Sequence, residues 1–182
     1  MQSDQVRNII LVGFMASGKS SVARALSRRC GWPRVDADDE IVSRAGKPIA
    51  DIFRDSGEAA FRELERSVMK DLCRQTGRVI SGGGGSFIDE ENRRTMLDCG
   101  TVFYLSTRPE TIHRRVTGGN PNAPVRPLLG AGNPLERIKE LLAERGPAYS
   151  QAHHAIETDQ LSPDEVAEAI LSICGPGISK NT

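Results

Sequence analysis

The sequence predicts an α/β fold in three layers, a five-stranded parallel sheet with helices on both faces. Three observations carry it. Apolar runs of strand length alternate with segments of helical period along the 182 residues, the pattern of parallel strands joined by crossover helices. The first run leads straight into Gly13-Phe14-Met15-Ala16-Ser17-Gly18-Lys19-Ser20, which meets the phosphate-binding pattern G-x-x-x-x-G-K-S/T at every fixed position. A helical segment then follows at once, completing the strand, glycine loop and helix that bind a nucleoside triphosphate.

Residues 8–12 are a short apolar run of buried-strand type, and 20–30 read as the first helix. Pro33-Arg34-Val35 leads a second strand into Asp36-Ala37-Asp38-Asp39, placing carboxylates at a strand end, where ligands of α/β sheets sit. Short helices over 41–45 and 49–54 flank the turn Gly46-Lys47-Pro48. Asp55 opens a long helix as N-cap, with Glu58 completing a capping box. Phe61, Leu64, Val68 and Leu72 give that helix an apolar stripe, and Arg62 and Arg66 lie off it. A strand over 78–81 runs into the glycines 82–85, a loop that lets a ligand approach the backbone closely.

A helix over 89–99 and a strand over 101–106 follow; Thr107, with Glu110 three residues on, caps the next helix, which runs to about 116. Residues 118–127 are rich in glycine, proline and asparagine without an apolar period. They predict a mobile lid over about 117–130, since long loops inside structured chains are usually functional. Asn133, Pro134 and Glu136 start a helix that reaches about Tyr149, and 155–157 form the last strand. Ser162 and Glu165 cap a final helix whose buried face is Val166, Ala169, Ile170 and Ile173, and the tail frays from about 175.

The length suits one domain over 1–182. With 24 basic and 24 acidic residues there is no net charge, which argues against a nucleic-acid partner. Apolar runs fall short of the roughly 20 residues of a membrane span, and the N-terminus has no leader pattern, so a cytoplasmic, monomeric protein is expected. Cys30, Cys73, Cys99 and Cys174 are scattered and read as core thiols; His113, His153 and His154 show no ligand spacing, so no protein-held transition metal is expected.

The acceptor of the γ-phosphate must be read elsewhere. Arg62 and Arg145 project from two helices, and Asp36 and Asp38 stand at a strand end near the phosphate loop. Two arginines can grip a carboxylate by planar bidentate bonds while an aspartate accepts a hydroxyl proton, which points to a small anionic acceptor. Each charge taken singly is more often simply solvated.

At this point the chain resembles the shikimate kinases over nearly its whole length. Gly-Phe-Met-Ala-Ser-Gly-Lys-Ser, Val-Asp-Ala-Asp, Ile-Ala-Asp-Ile-Phe, Phe-Arg-Glu-Leu-Glu, Ser-Gly-Gly-Gly-Gly and Val-Arg-Pro-Leu-Leu occur in that family's order. The resemblance implies strand order 2-3-1-4-5 and transfer of the ATP γ-phosphate to the 3-hydroxyl of shikimate. It implies ATP contacts from Gly13, Ala16, Ser17, Gly18, Lys19, Ser20 and Ser21, Mg²⁺ held by Ser20 and, through water, by Asp36, and a catalytic set of Lys19, Asp38 and Arg126. Asp38, Arg62, Gly83, Gly84, Gly85 and Arg145 would bind shikimate. Arg126 resembles the lid arginine that meets the phosphates on closure, and Arg115 or its neighbour Val116, with Pro163 opposite, would sandwich the adenine. Many members have glycine where this loop has Ala16. The competing readings are another small-metabolite kinase, for gluconate or a nucleoside monophosphate, and a non-catalytic nucleotide switch.

Overall fold

The structure, a computed structural model, describes residues 6–118, 133–175 and 178. Its elements run β1 (Ile9–Val12), α1 (Lys19–Cys30), β2 (Arg34–Asp36), α2 (Ala37–Ala45), α3 (Ile49–Cys73), β3 (Val79–Ser81), α4 (Glu90–Cys99), β4 (Thr101–Ser106), α5 (Pro109–Thr117), α6 (Pro134–Tyr149), β5 (His154–Glu157) and α7 (Pro163–Cys174). The strands form one sheet in the order β2-β3-β1-β4-β5, with every pairing parallel.

Side-chain alternation along the strands divides the core into two layers. Ile10 and Val12 join Ile80 and Val102 against Ile41 of α2, Val68 and Met69 of α3 and Met96 of α4. Ile9 and Leu11 point the other way, with Val79, Phe103 and Leu105 against Val22 and Leu26 of α1 and Val166 and Ile170 of α7. All four residues of β1 have 0% exposure, which is why this strand reads as a continuous apolar run rather than an alternating one. Leu11 lies in register with Ser81, and Ser81 with Asp36. The loops that leave β1, β3 and β2 therefore emerge side by side at one carboxyl edge, and this edge carries the site.

Three expectations need correction. The long helix is not opened by Asp55: α3 runs on from Ile49, and the break falls at Gly57, whose φ of 80° and ψ of 175° are open to glycine alone without strain. The Asp55 carboxylate accepts instead from Lys47 at 3.0 Å and Arg54 at 2.9 Å. Thr107 does not cap α5 either. Its hydroxyl pairs with that of Thr158 at 2.8 Å, Arg108 takes the N-cap position, and the Arg108 N–H donates to the Asp159 carboxylate at 3.2 Å. A cap supplied from 51 residues away leaves no local signal. Finally, Cys73 and Cys99 are not separate core thiols but are joined in a disulfide, between α3 and α4, with their Cα atoms 5.5 Å apart. Cys30 and Cys174 are free thiols in the core on the other face, and burial raises the pKa of both, that of Cys174 to about 11.

The Ser162 and Glu165 capping box, the Asn133 cap and Pro134 at the start of α6 are present as the sequence predicts. Among the described residues no helix is long and apolar enough to cross a membrane.

Candidate active site

The phosphate loop wraps the start of α1. Gly18 takes the N-cap position of α1 in the left-handed conformation, so the first helical N–H groups face the cleft. Ala16 is also left-handed, with φ 57°, which gives the physical reason a glycine suits this position. Its carbonyl accepts from Arg115 Nη1 at 2.9 Å. Ser17 Oγ is buried and has no hydrogen-bond partner among the described residues, a polar atom fit to meet an anion held by the loop. Lys19 Nζ donates to the carbonyls of Gly13 and Phe14, each at 2.9 Å.

Two clefts meet at this loop. One is lined by Met15, Lys19, Ser20, Asp36, Asp38 and Gly84 among others, and the second by Ser17, Arg115, Thr158, Leu161 and Pro163, while Ala16, Gly18 and Ser21 border both. Arg115 and Pro163 thus share the second cleft, whereas Val116 packs with the apolar cluster of Phe14, Ile112, Ile138 and Leu141. Of the two positions open from the sequence, Arg115 is the one in the cleft.

In the first cleft Asp36 caps α2, with Oδ1 accepting from the Asp38 N–H at 3.0 Å and Oδ2 accepting from the Ser20 hydroxyl at 3.3 Å. A hydroxyl oxygen beside a carboxylate is a hard-oxygen pair of the kind Mg²⁺ takes. Asp38 leans over the glycine loop: a Cβ on Gly83 would stand 2.6 Å from Asp38 Oδ1, so a side chain here would push the Asp38 carboxylate aside. Burial, reinforced by the nearby Asp36 charge, raises the Asp38 pKa above that of an ordinary aspartate, against a smaller opposing pull from Lys19.

Arg62 and Arg145 flank the same loop from α3 and α6. The Arg62 guanidinium nitrogens lie 3.8 Å from where a Cβ on Gly85 would be. Arg145 Nη1 donates to the Gly84 carbonyl at 3.0 Å, and its guanidinium sits 5.1 Å from the Phe14 ring centroid. Asp38, Arg62 and Arg145, from three separate stretches of chain, therefore all meet the glycine loop Gly83–Gly85, and Asp38 and Gly84 line the cleft that opens onto the phosphate loop. Arg126 and the lid segment 119–132 lie outside the described residues.

A buried partner of Arg62 escaped the sequence reading. Glu65, 2% exposed, accepts from Arg62 Nη1 at 2.8 Å and from Asn92 Nδ2 at 3.3 Å, which fixes the guanidinium in its fork. Burial raises its pKa, and the Arg62 bond works against that rise. The signal was its place three residues after Arg62, on the same helix flank.

A family model described as Shikimate kinase matches residues 15–174. A shikimate kinase of Persephonella marina is 42% identical over 166 residues, covering 91% of this chain and 98% of the relative. One of Thermodesulfovibrio yellowstonii is 38% identical, covering 91% and 94%. Among solved structures, the shikimate kinase of Acinetobacter baumannii in complex with shikimate superposes with a TM-score of 0.85 at 35% identity, covering 93% of both chains.

Proposed function

The chain belongs to the shikimate kinase family and uses ATP to phosphorylate shikimate, and from that premise we propose how its own residues carry out the transfer. The observation that carries the proposal is the convergence of Asp38, Arg62 and Arg145 on the glycine loop beside Lys19. Phosphoryl transfer through a loose transition state asks mainly for alignment and for charge placed where charge gathers. Arg62 and Arg145 grip the shikimate carboxylate, the backbone of Gly83, Gly84 and Gly85 lines the ring, and Asp38 orients the 3-hydroxyl and takes its proton. Gly13, Ala16, Ser17, Gly18 and Ser21 hold the triphosphate, Lys19 meets its β and γ oxygens, and Arg115 and Pro163 enclose the adenine.

Ser20, and Asp36 through water, would hold a Mg²⁺ ion, which when bound neutralises phosphate charge. The enzyme is further proposed to be a cytoplasmic monomer whose single domain spans 1–182, without a nucleic-acid partner.

Arg62→Lys keeps the charge but loses the planar fork that faces Glu65 on one side and the pocket on the other. Shikimate KM is expected to rise about tenfold or more while ATP KM stays within about twofold, the difference between a bidentate and a point-charge grip. Equal losses for both substrates would make Arg62 structural.

Arg126 belongs to a different step. As a lid arginine it would meet the phosphates only after closure, so its interaction would be stronger in the transition state than in the ground state. Arg126→Ala is expected to slow kcat about a hundredfold with equilibrium binding of both substrates retained, the usual cost of one such donor. Unchanged kcat removes it from the catalytic set, and lost ATP binding with normal saturating turnover reassigns it to the ground state.

A further inference from the structure

The Gly84 carbonyl receives two donors, Arg145 Nη1 at 3.0 Å and the Tyr149 hydroxyl at 3.1 Å, which fill both of its lone pairs. Tyr149 stands one helical turn after Arg145 on α6, so both side chains descend from the same flank. The tyrosine is 2% exposed, and its ring lies on that of Tyr104 in β4, with centroids 4.5 Å apart and planes 8° from parallel. The ring is therefore held from the sheet, and the hydroxyl is aimed at one oxygen. Burial pushes the phenol up to about 12, so it remains a donor at any working pH.

A run of glycines has more backbone freedom than any other sequence and cannot by itself hold a peptide plane in one orientation. An acceptor pocket lined by such a run needs an anchor from outside it. Because the peptide is planar and trans, pinning the Gly84 oxygen also fixes the direction of the Gly85 N–H, which points to the opposite side. The same two-donor contact holds Arg145, whose guanidinium lies beside the Tyr149 hydroxyl and 5.1 Å from the Phe14 ring centroid.

We infer that Tyr149 is a positioning residue for the acceptor site: without touching shikimate, it locks the Gly84–Gly85 peptide and the Arg145 guanidinium in the orientation that binds the acid. This rests on the family reading of Gly83–Gly85 and Arg145 as shikimate contacts. The nucleotide cleft contains neither Tyr149 nor Tyr104, so the effect of losing the hydroxyl is confined to one substrate.

Tyr149→Phe keeps the ring, the stack and the volume and removes only the donor. Shikimate KM is expected to rise about fivefold, the factor that corresponds to about 1 kcal/mol for one neutral hydrogen bond, with ATP KM unchanged. In a cycle with Arg145→Lys, the double variant should show little more loss than Arg145→Lys alone, because the two side chains act through one carbonyl. Tyr104→Leu loosens the ring while keeping the hydroxyl and serves if Tyr149→Phe does not fold; it should raise shikimate KM in the same direction. A merely structural tyrosine would lower the melting temperature and leave the shikimate KM alone, or raise both KM values together, or add independently to Arg145→Lys. Any of these overturns the inference. A wild type that does not turn over shikimate removes the family reading and this inference together, whereas a normal wild type with an unchanged variant removes only the inference.

Discussion

Lys19→Met is expected to cut phosphoryl transfer about a thousandfold. The ammonium stands at the head of α1, among N–H groups that already favour anions, in a half-buried cleft where a charge is worth more than in water. Methionine keeps the length and loses the charge, so the γ-phosphate loses the cation that follows it through the transition state. The lysine also donates to the Gly13 and Phe14 carbonyls at 2.9 Å and so helps hold its own loop. A fall in melting temperature of roughly 2–4 °C is therefore expected as well, the equivalent of about 1 kcal/mol at this chain length. Steady-state turnover and thermal unfolding on the same preparation check both. Turnover within tenfold of wild type would remove the phosphate loop from the chemistry.

Asp38→Asn is expected to lower kcat by roughly 10² to 10⁴, the range for loss of a positioned proton acceptor, and at the same time to stabilise the protein. The folded-state pKa of Asp38 is raised above its ordinary 3.8, chiefly by burial. Below 3.8 the group is protonated in both states and has no effect. As pH rises above that value, the unfolded chain releases the proton first, so native stability falls through the window up to the raised folded value and stays lower at neutral pH. Asparagine removes that cost, and a rise in melting temperature is expected at neutral pH, vanishing in acid. Activity runs the other way: the wild-type rate falls on the acid side at a higher pH than an ordinary aspartate would give. An Asp38→Asn variant that is inactive and also destabilised at pH 7 would mean that the carboxylate is structural rather than held ready for the substrate.

The sequence was most legible where signals are local. The apolar strand read over 8–12 and found at Ile9–Val12, the phosphate loop at the head of α1 and the Ser162 capping box each rest on signals within a few residues. Legibility failed where a distant partner competes for a local group. Asp55 has the right spacing to Glu58 for a capping box, but Lys47 and Arg54 take its carboxylate and Gly57 takes the kink. Thr107 has the chemistry of a cap and spends its hydroxyl on Thr158 instead. Cys73 and Cys99 stand 26 residues apart, and only the packing of α3 on α4 brings them together.

In the site, the arginines and aspartates were legible as charges that need a reason. Glu65 and Tyr149 were not, because a glutamate on a charged helix and a tyrosine at a helix end look ordinary until their partners are in place.

The central claim is that one pocket, built from Asp38, Arg62, Arg145 and the glycine loop, selects shikimate as the acceptor. The most direct measurement is ADP release with ATP and Mg²⁺ across a panel of small hydroxy acids that includes shikimate and gluconate, with a nucleoside monophosphate alongside and phosphorus NMR of the product. Strong dependence on shikimate, with a phosphate ester on its 3-hydroxyl and little turnover of the others, is the predicted result. Preference for gluconate or for the nucleotide, or ADP release that ignores every acceptor, would contradict it.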